Sequence, residues 1–459
     1  MVREFVNASP VPLADIPTLS FAEFASELTS VAFEESKKRV LALWSLPDGR
    51  IACVLGNPMT HRLEIMATSA ADCRALVEAV PAIHRFVREL RGEADIKPFL
   101  PLKGGAAHEV AVGPVHAGVI EPGHFRFQCM GEDVYHLEIQ LGYQHRGVEA
   151  LIAEARTNVR RIALAETVAG DTSVAATIAA TKALGLPILA GRDLLALLLE
   201  LERIANHVGD LGALSGDVAY LPTASFCGRI RGEYLNMTAE FCGNRFGRNA
   251  LSARLPDADG IARLREWFGR TERELFHALG LLFSEAGAIE RFEGTGRVSA
   301  DLARQIGLTG MAGRASGLKV DSRIDFPMEM EPVSTSLVCD KSFTGDVLSR
   351  ARQRYEELKV SHALVRRFLN QDIGALAAPQ VDLAAKPEGE TVTVAVVEGW
   401  RGELVHVAVR AGADVTQYKV FDPSYHNWFG LAQALRGEQI SNFPICNKSF
   451  NLSYCGVDR

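Results

Sequence analysis

Hydrophobic and polar positions along the chain fall into three regimes. In the first hundred residues the apolar runs are short. Residues 39–46 and 51–55 read as strands on either side of Pro47-Asp48-Gly49, a turn signal, and 61–67 as a further strand. Ser20 precedes a short helix over 21–28. Leu76, Val80, Ile83, Phe86, Val87 and Leu90 recur at helical spacing and predict one helix over 70–91. Lys97-Pro98, Leu100-Pro101 and Gly104-Gly105 then mark a linker.

The pattern changes from His108. Residues 110–120 and 125–128 read as strands meeting at Glu121-Pro122-Gly123, and 134–141 as another. A long helical region follows, with helices expected over 144–166, 172–183, 192–211, 225–249 and 257–286. After a glycine-rich, loop-forming segment, a further helix spans 345–369. Its Arg350, Arg352, Arg354, Glu356 and Glu357 read as a solvated face. Strands return at 391–397, 404–409 and 414–421, and Asp422-Pro423-Ser424 signals the start of a helix over 426–435. Residues 443–459 are rich in Phe, Leu, Tyr and Cys and carry no polar tail, so this segment is expected to be buried. The fold class is α+β: a mainly helical core with small flanking sheets, and a small N-terminal α+β domain. The expected domains are 1–100 and 108–459.

Composition narrows the function. The chain has 459 residues, enough for two or three domains and a large core. Its 49 basic and 56 acidic residues give a net charge of −7 with no basic tract, which excludes a nucleic-acid footprint. The 8 cysteines are scattered and form no CxxC pair, so they suit reduced thiols, each read first as a small buried hydrophobe. No iron–sulfur cluster fits that spacing. The first residues carry no signal-peptide pattern, and no apolar run is long enough to cross a bilayer. Gly294-Thr295-Gly296 is not a dinucleotide fingerprint, because no strand–helix unit surrounds it.

Chemistry-bearing residues concentrate between Gly113 and Glu149, which hold His116, Glu121, His124, His136 and His145. The segments GPVHAGVIEPGHFRF, GYQHRGVE, AETVAGDTSVAA, LELERIANHVGDLGAL, VEGWRGELVHV, DPSYHNW and NFPICNKSFNLSYCGVDR follow one another in this order. That order resembles the large subunits of energy-converting NiFe hydrogenases and the 49-kilodalton subunits of respiratory complex I. The resemblance covers roughly residues 113–459. Residues 1–100 resemble a degenerate 30-kilodalton complex I subunit, fused in front as in formate-hydrogenlyase-type hydrogenases.

The family's NiFe site takes four thiolates from two CxxC pairs, since soft sulfur ligands hold these metals. Here the early pair falls on Ala169 and Thr172, the histidine that usually follows falls on Ala176, and the late pair falls on Ser453 and Gly456. Cys455 is one residue off. The resemblance therefore implies no NiFe centre and no metal in this chain. The ending Val457-Asp458-Arg459, without the extension that hydrogenases remove after metal insertion, agrees with that expectation.

The resemblance then points to the complex I quinone pocket. Its histidine and aspartate match His116 and Asp217, while its tyrosine position falls near Gly170. A carboxylate beside an imidazole orients it and raises its pKa, which suits proton donation to a reduced quinone. Glu121 matches a proton-relay glutamate and also fits a plain acceptor of backbone N–H groups. Arg401 matches the arginine that hydrogenases place over the metal, where a fixed cation would face the cavity. Glu166, His145, Arg146, Arg203 and His207 are expected around the site, the last four mainly as charged pins for helices.

The expected function is a large subunit of a membrane-associated, complex I-like oxidoreductase. An iron–sulfur small subunit would bring electrons, a quinone-type molecule would accept them, and membrane subunits would couple the reaction to ion translocation. This chain itself would hold no cofactor and sit peripherally on the cytoplasmic side of the membrane. The alternative is a non-catalytic scaffold joining the small subunit to the membrane subunits. A redox role needs an open pocket lined by His116, Asp217 and Arg401, whereas a scaffold would fill it with side chains.

Overall fold

A computed structural model describes residues 2–31, 37–69, 73–92, 107–115, 121–327, 340, 342–371, 379–380 and 389–459. His116, the 97–105 linker and Cys339 lie outside the described residues. The fold is mixed α+β, as the pattern predicts.

The chain opens with β1 (Arg3–Phe5), β2 (Pro10–Pro12), β3 (Thr18–Leu19) and α1 (Phe21–Ser30). Ser20 and Glu23 close a reciprocal capping box on α1, fixing its start. Next come β4 (Arg39–Ser45), β5 (Ile51–Asn57) and β6 (Arg62–Thr68), which join β1 in a sheet of order β1-β6-β5-β4, with β3 parallel to β6. All seven residues of β5 are buried, because both of its faces are covered. The helix expected over 70–91 is broken. Pro81 has no N–H and starts a 3-10 turn, leaving only α2 (His84–Leu90) as α-helix.

A three-stranded antiparallel sheet follows from β7 (His108–Val112), β8 (His124–Met130) and β9 (Asp133–Gln140). The single helix expected over 144–166 is two, α3 (Val148–Glu154) and α4 (Asn158–Ala165). Thr157 divides them, because its hydroxyl accepts the Arg160 N–H as an N-cap. Then come α5 (Ser173–Ala183), β10 (Ile188–Gly191), α6 (Arg192–Asp217), α7 (Leu221–Cys242), α8 (Ala258–Ser284), α9 (Ala286–Phe292), α10 (Ala300–Gln305), α11 (Gly310–Ala315), α12 (Ser322–Asp325) and α13 (Val347–Leu369). Helices α6 and α7 approach closely along glycines: a Cβ on Gly212 would sit 2.6 Å from the Cys227 Cβ.

Helix α13 corrects the expectation of a solvated charged face. Arg352 is exposed, but Arg350, Arg354 and Glu357 are buried. Arg354 pairs with Asp210 of α6 at 2.8 Å, and Arg350 donates to the Gly345 and Gly296 carbonyls and the Ser449 hydroxyl. The helix is therefore an internal spine whose charges are met by other elements.

The last third holds β11 (Pro379–Gln380), β12 (Glu390–Glu398), β13 (Glu403–Ala411), β14 (Asp414–Phe421), α14 (Pro423–Ala434), α15 (Phe443–Phe450) and α16 (Cys455–Asp458). Strand β2 from the opening of the chain completes this sheet, in the order β14-β13-β12-β2. Asn7 pins the join. Its Nδ2 donates to the Phe326 and Val396 carbonyls, and its Oδ1 accepts the Val396 N–H, each at 2.9 Å.

The closing segment is buried, as expected. Its cradle is the GYQHRGVE stretch. Asp458 accepts the N–H groups of Gly142 and Gln144 at 2.7 and 2.9 Å, and the Arg459 carbonyl accepts those of Arg146 and Gly147. The Arg459 guanidinium reaches Glu149 of α3 and Glu89 of α2. Among the described residues no helix is long and apolar enough to cross a membrane.

Candidate functional site

The site is built where the turn before α5, the β12–β13 hairpin and the closing segment meet. Arg401, at the hairpin tip, is buried. Its Nη1 and Nη2 grip both carboxylate oxygens of Asp171 at 2.8 and 2.7 Å, a two-pronged, charge-assisted pair. Nη1 also reaches the Thr172 hydroxyl at 3.3 Å, and Nε donates to the Asn451 carbonyl at 2.7 Å. The guanidinium carbon lies 3.9 Å from the Trp400 ring centre, and the Trp400 indole N–H donates to the Asp171 carbonyl. Burial works against a charged Asp171. The Arg401 guanidinium and the Thr172 hydroxyl outweigh it and hold the carboxyl below its ordinary value.

Gly310 lets the hairpin come this close. It sits at φ +61°, and a Cβ there would overlap the Arg401 carbonyl and the Gly402 Cα. Gly310→Ala is expected to destabilise by about 2–3 kcal/mol, combining left-handed strain with overpacking. A thermal-unfolding scan checks this, with Gly412→Ala as the reference: it has similar φ but open space around it.

The four thiolate positions lie in this region and do not fit a NiFe group. Thr172 is engaged by Arg401, and the Ser453 hydroxyl accepts the Gly456 N–H at 2.9 Å. A Cβ on Gly456 would meet the Asp422 carboxyl at 2.8 Å, so Asp422 fills the space that a side chain would need. Cys455, 3.5 Å from the Ser453 hydroxyl, is the nearby thiol, and burial pushes it up to about 12, away from thiolate. Among the described residues, no three His, Cys, Asp or Glu side chains form a group able to hold a metal ion.

The other expected site residues are placed as follows. Glu121 accepts the N–H groups of Tyr454 and Cys455 at 3.0 and 3.2 Å, anchoring the start of α16. Asp217 ends α6 in an exposed position. Its pairing with His116 falls outside the described residues. Glu166 is buried and accepts the Thr177 hydroxyl and the Asn249 N–H. His145 Nδ1 lies 2.7 Å from the Asp458 carbonyl, and Arg146 donates to the Thr167, Val168 and Cys455 carbonyls. Arg146 thus ties the 167–172 turn to the closing segment. Arg203 pairs with Glu200 and donates to the Glu398 and Gly399 carbonyls, holding the hairpin from behind. His207 meets Glu357 at 2.9 Å and lies edge-on to Trp400.

Sequence reasoning did not place Asp171, Glu202 or Glu398 in the site, and it read Asp422 only as a helix start, which it is: its carboxylate accepts the Ser424 N–H as the N-cap of α14. Asp171 stood beside Thr172, and a buried hairpin arginine requires an anion, so that signal was present. Glu202 is buried and accepts the Val174 and Ala175 N–H groups at 2.7 and 3.3 Å, at the start of α5. Burial, with Asp171 nearby, pushes its carboxyl up to about 8.

Comparison with known proteins agrees with this architecture. A family model described as "Respiratory-chain NADH dehydrogenase, 49 Kd subunit" matches residues 217–382. The membrane-bound hydrogenase subunit alpha of Pyrococcus furiosus is 27% identical over 373 residues, 76% of this chain and 87% of that one. Formate hydrogenlyase subunit 5 of Escherichia coli is 27% identical over 372 residues, covering 76% of this chain and 63% of that protein. The family that these matches share, and that this chain resembles, is that of complex I 49-kDa subunits and NiFe-hydrogenase large subunits. The fold of this chain is also that of a solved chain from the archaeal membrane-bound sulfane sulfur reductase. That chain has a TM-score of 0.67 and 21% identity, and the match covers 77% of this chain and 99% of that one.

Proposed function

We propose that this chain is the large subunit of a membrane-associated complex related to complex I and energy-converting hydrogenases, and that it works without a NiFe centre. Electrons reach it from an iron–sulfur small subunit and pass to a quinone-type acceptor, with membrane subunits coupling the reaction to ion translocation. Reduction to the quinol takes two electrons and two protons. His116 and Asp217 deliver one of the two protons, with Glu121 as the relay, solvent supplies the other, and Arg401 fixes the charge of the pocket wall.

The observation that carries the metal-free reading is the Arg401–Asp171 clamp beside Thr172, with Asp422 against Gly456. One observation also favours a scaffold: the Arg401 N–H groups are committed to Asp171, Thr172 and Asn451, which fits a filled and rigid site.

The test uses the complex purified through this chain in mild detergent. The expected result is no stoichiometric nickel, iron from the partner subunit, and quinone reduction that is lost in His116→Ala. Stoichiometric nickel would overturn the metal-free reading. Quinone reduction absent from the wild type, or unchanged in His116→Ala, would leave the scaffold as the function.

A further inference from the structure

Behind the hairpin that carries Arg401 lies a larger set of charges that the proposed function does not use. Arg203 meets Glu200 at 3.1 Å. Arg323 meets Glu200 at 3.2 Å and Asp321 at 2.7 Å. Arg314 meets Glu398 at 2.7 Å, Glu357 at 2.8 Å and Asp321 at 3.6 Å. All but Arg323 are buried, and its side chain is only 13% exposed. Linked in this way are four carboxylates (Glu200, Asp321, Glu357, Glu398) and three guanidiniums (Arg203, Arg314, Arg323).

The set is one positive charge short. An uncompensated anion in such a place is strongly disfavoured, so a proton is the expected remedy. His207 is one place for it, since its Nε2 lies 2.9 Å from Glu357. Its Nδ1, however, is buried with no hydrogen-bond partner among the described residues. Protonating the ring would create a buried N–H with no acceptor. Burial also lowers the His207 pKa, with Glu357 only opposing. Glu357, Glu200 and Asp321 are each disfavoured as anions by burial, yet their arginines outweigh it and hold all three below their ordinary values. Glu398 moves the other way, to about 7. Burial pushes it up, Arg314 and Arg323 oppose, and Asp321 and Glu403 add to the rise. Beyond Ser322, which bonds to both Glu398 and Glu403, stand Arg39 and Asp325.

The geometry connects this set to the site. Glu398, Gly399, Trp400 and Arg401 are consecutive, and Arg203 clamps the turn through the carbonyls of the first two. The Glu398 carboxylate faces Arg314, while Arg401 faces Asp171. Trp400 lies between, stacked on Arg401 and edge-on to His207.

We propose that this network binds one exchangeable proton, carried by the Glu398 carboxyl, and that the proton offsets charge appearing on the Arg401–Asp171 side of the turn. The proton comes from solvent and converts a carboxylate to a carboxylic acid, with no electron moved. Negative charge arriving at the site tightens proton binding, and its departure loosens it. The coupling half rests on the proposed function, and the proton-binding half does not.

The test is an infrared titration of the carboxylic-acid carbonyl band from about pH 5 to about pH 9, a range that spans both raised groups. It uses the intact complex as wild type, Glu398→Gln and Glu202→Gln. The expected result is a component with a midpoint near 7 that disappears in Glu398→Gln and survives in Glu202→Gln. Glu398→Asp, which keeps a carboxyl in a displaced position, is expected to move that midpoint, and it serves if the glutamine variant does not assemble. Persistence of the component in Glu398→Gln, or an unmoved midpoint in Glu398→Asp, overturns the assignment. With a short-chain quinone as probe, Glu398→Gln is expected to flatten the pH profile of reduction around neutrality. An unchanged profile overturns the coupling. If no preparation reduces the quinone, the proposed function fails while the infrared result still decides the proton site.

Discussion

Arg314→Met is expected to lower the stability of the protein by about 3–5 kcal/mol, the cost typical of stripping one partner from a buried ion pair. Arg314 is fully buried and serves Glu357, Glu398 and Asp321 together. Methionine fills much of the volume but leaves three carboxylates facing one another in a low-dielectric interior. Arg314→Lys is expected to recover only part of the loss, because an ammonium cannot present a planar fork to several carboxylates. The measurement is the urea midpoint of each variant beside Arg352→Met, an exposed change two residues from Arg350 on α13. Equal midpoints for Arg314→Met and Arg352→Met would mean that the buried network contributes nothing net.

Glu202 supplies the second large effect, and its sign is opposite to that of an ordinary paired carboxylate. Its folded pKa is raised from 4.5 to about 8, so folding favours the protonated form. The contribution is fully present below the unfolded value near 4.5 and is lost as pH rises through about 8. At about 1.4 kcal/mol per pH unit, roughly 3 kcal/mol is expected to vanish between about pH 6 and about pH 9. Glu202→Gln cannot titrate and is expected to lose correspondingly less over the same interval. Urea midpoints at the two pH values check this. The same decline in both proteins would show that Glu202 is already ionised at the lower pH.

These two effects lie in the part of the molecule least legible from the sequence. Helices with sustained apolar spacing, such as α6, α8 and α13, are present where periodicity put them, because a buried stripe is written into each helix on its own. Their ends were less legible. Thr157 and Pro81 act through one hydroxyl and one missing N–H, which a window average does not register. The buried charges of α13 were illegible for a different reason. A run such as Arg350 to Glu357 looks solvated unless its partners are known, and those partners sit on α6, on α11 and in α15. Of the candidate site, the motif order supplied Arg401 and the four positions aligned with the thiolates of the resembled family. It did not supply Asp171 as the partner of Arg401, since a counter-ion is chosen by proximity in space. The GYQHRGVE stretch was legible as important, but its role as the cradle of the closing segment emerges only from hydrogen bonds to Asp458 and Arg459.

The join made by Asn7 has a consequence for how the protein is made. Asn7 bonds to Val396, a partner 389 residues away, and β2 beside it depends on β12 in the same way. At typical synthesis rates the opening strand waits about 20–80 s on the ribosome before its neighbour is translated. Throughout that interval it stays unpaired, and Pro10 and Pro12, which carry no N–H, keep its edge from recruiting other strands. The sheet of β14, β13, β12 and β2 is therefore completed only once nearly the whole chain has been made, so it closes late in synthesis whatever forms before it.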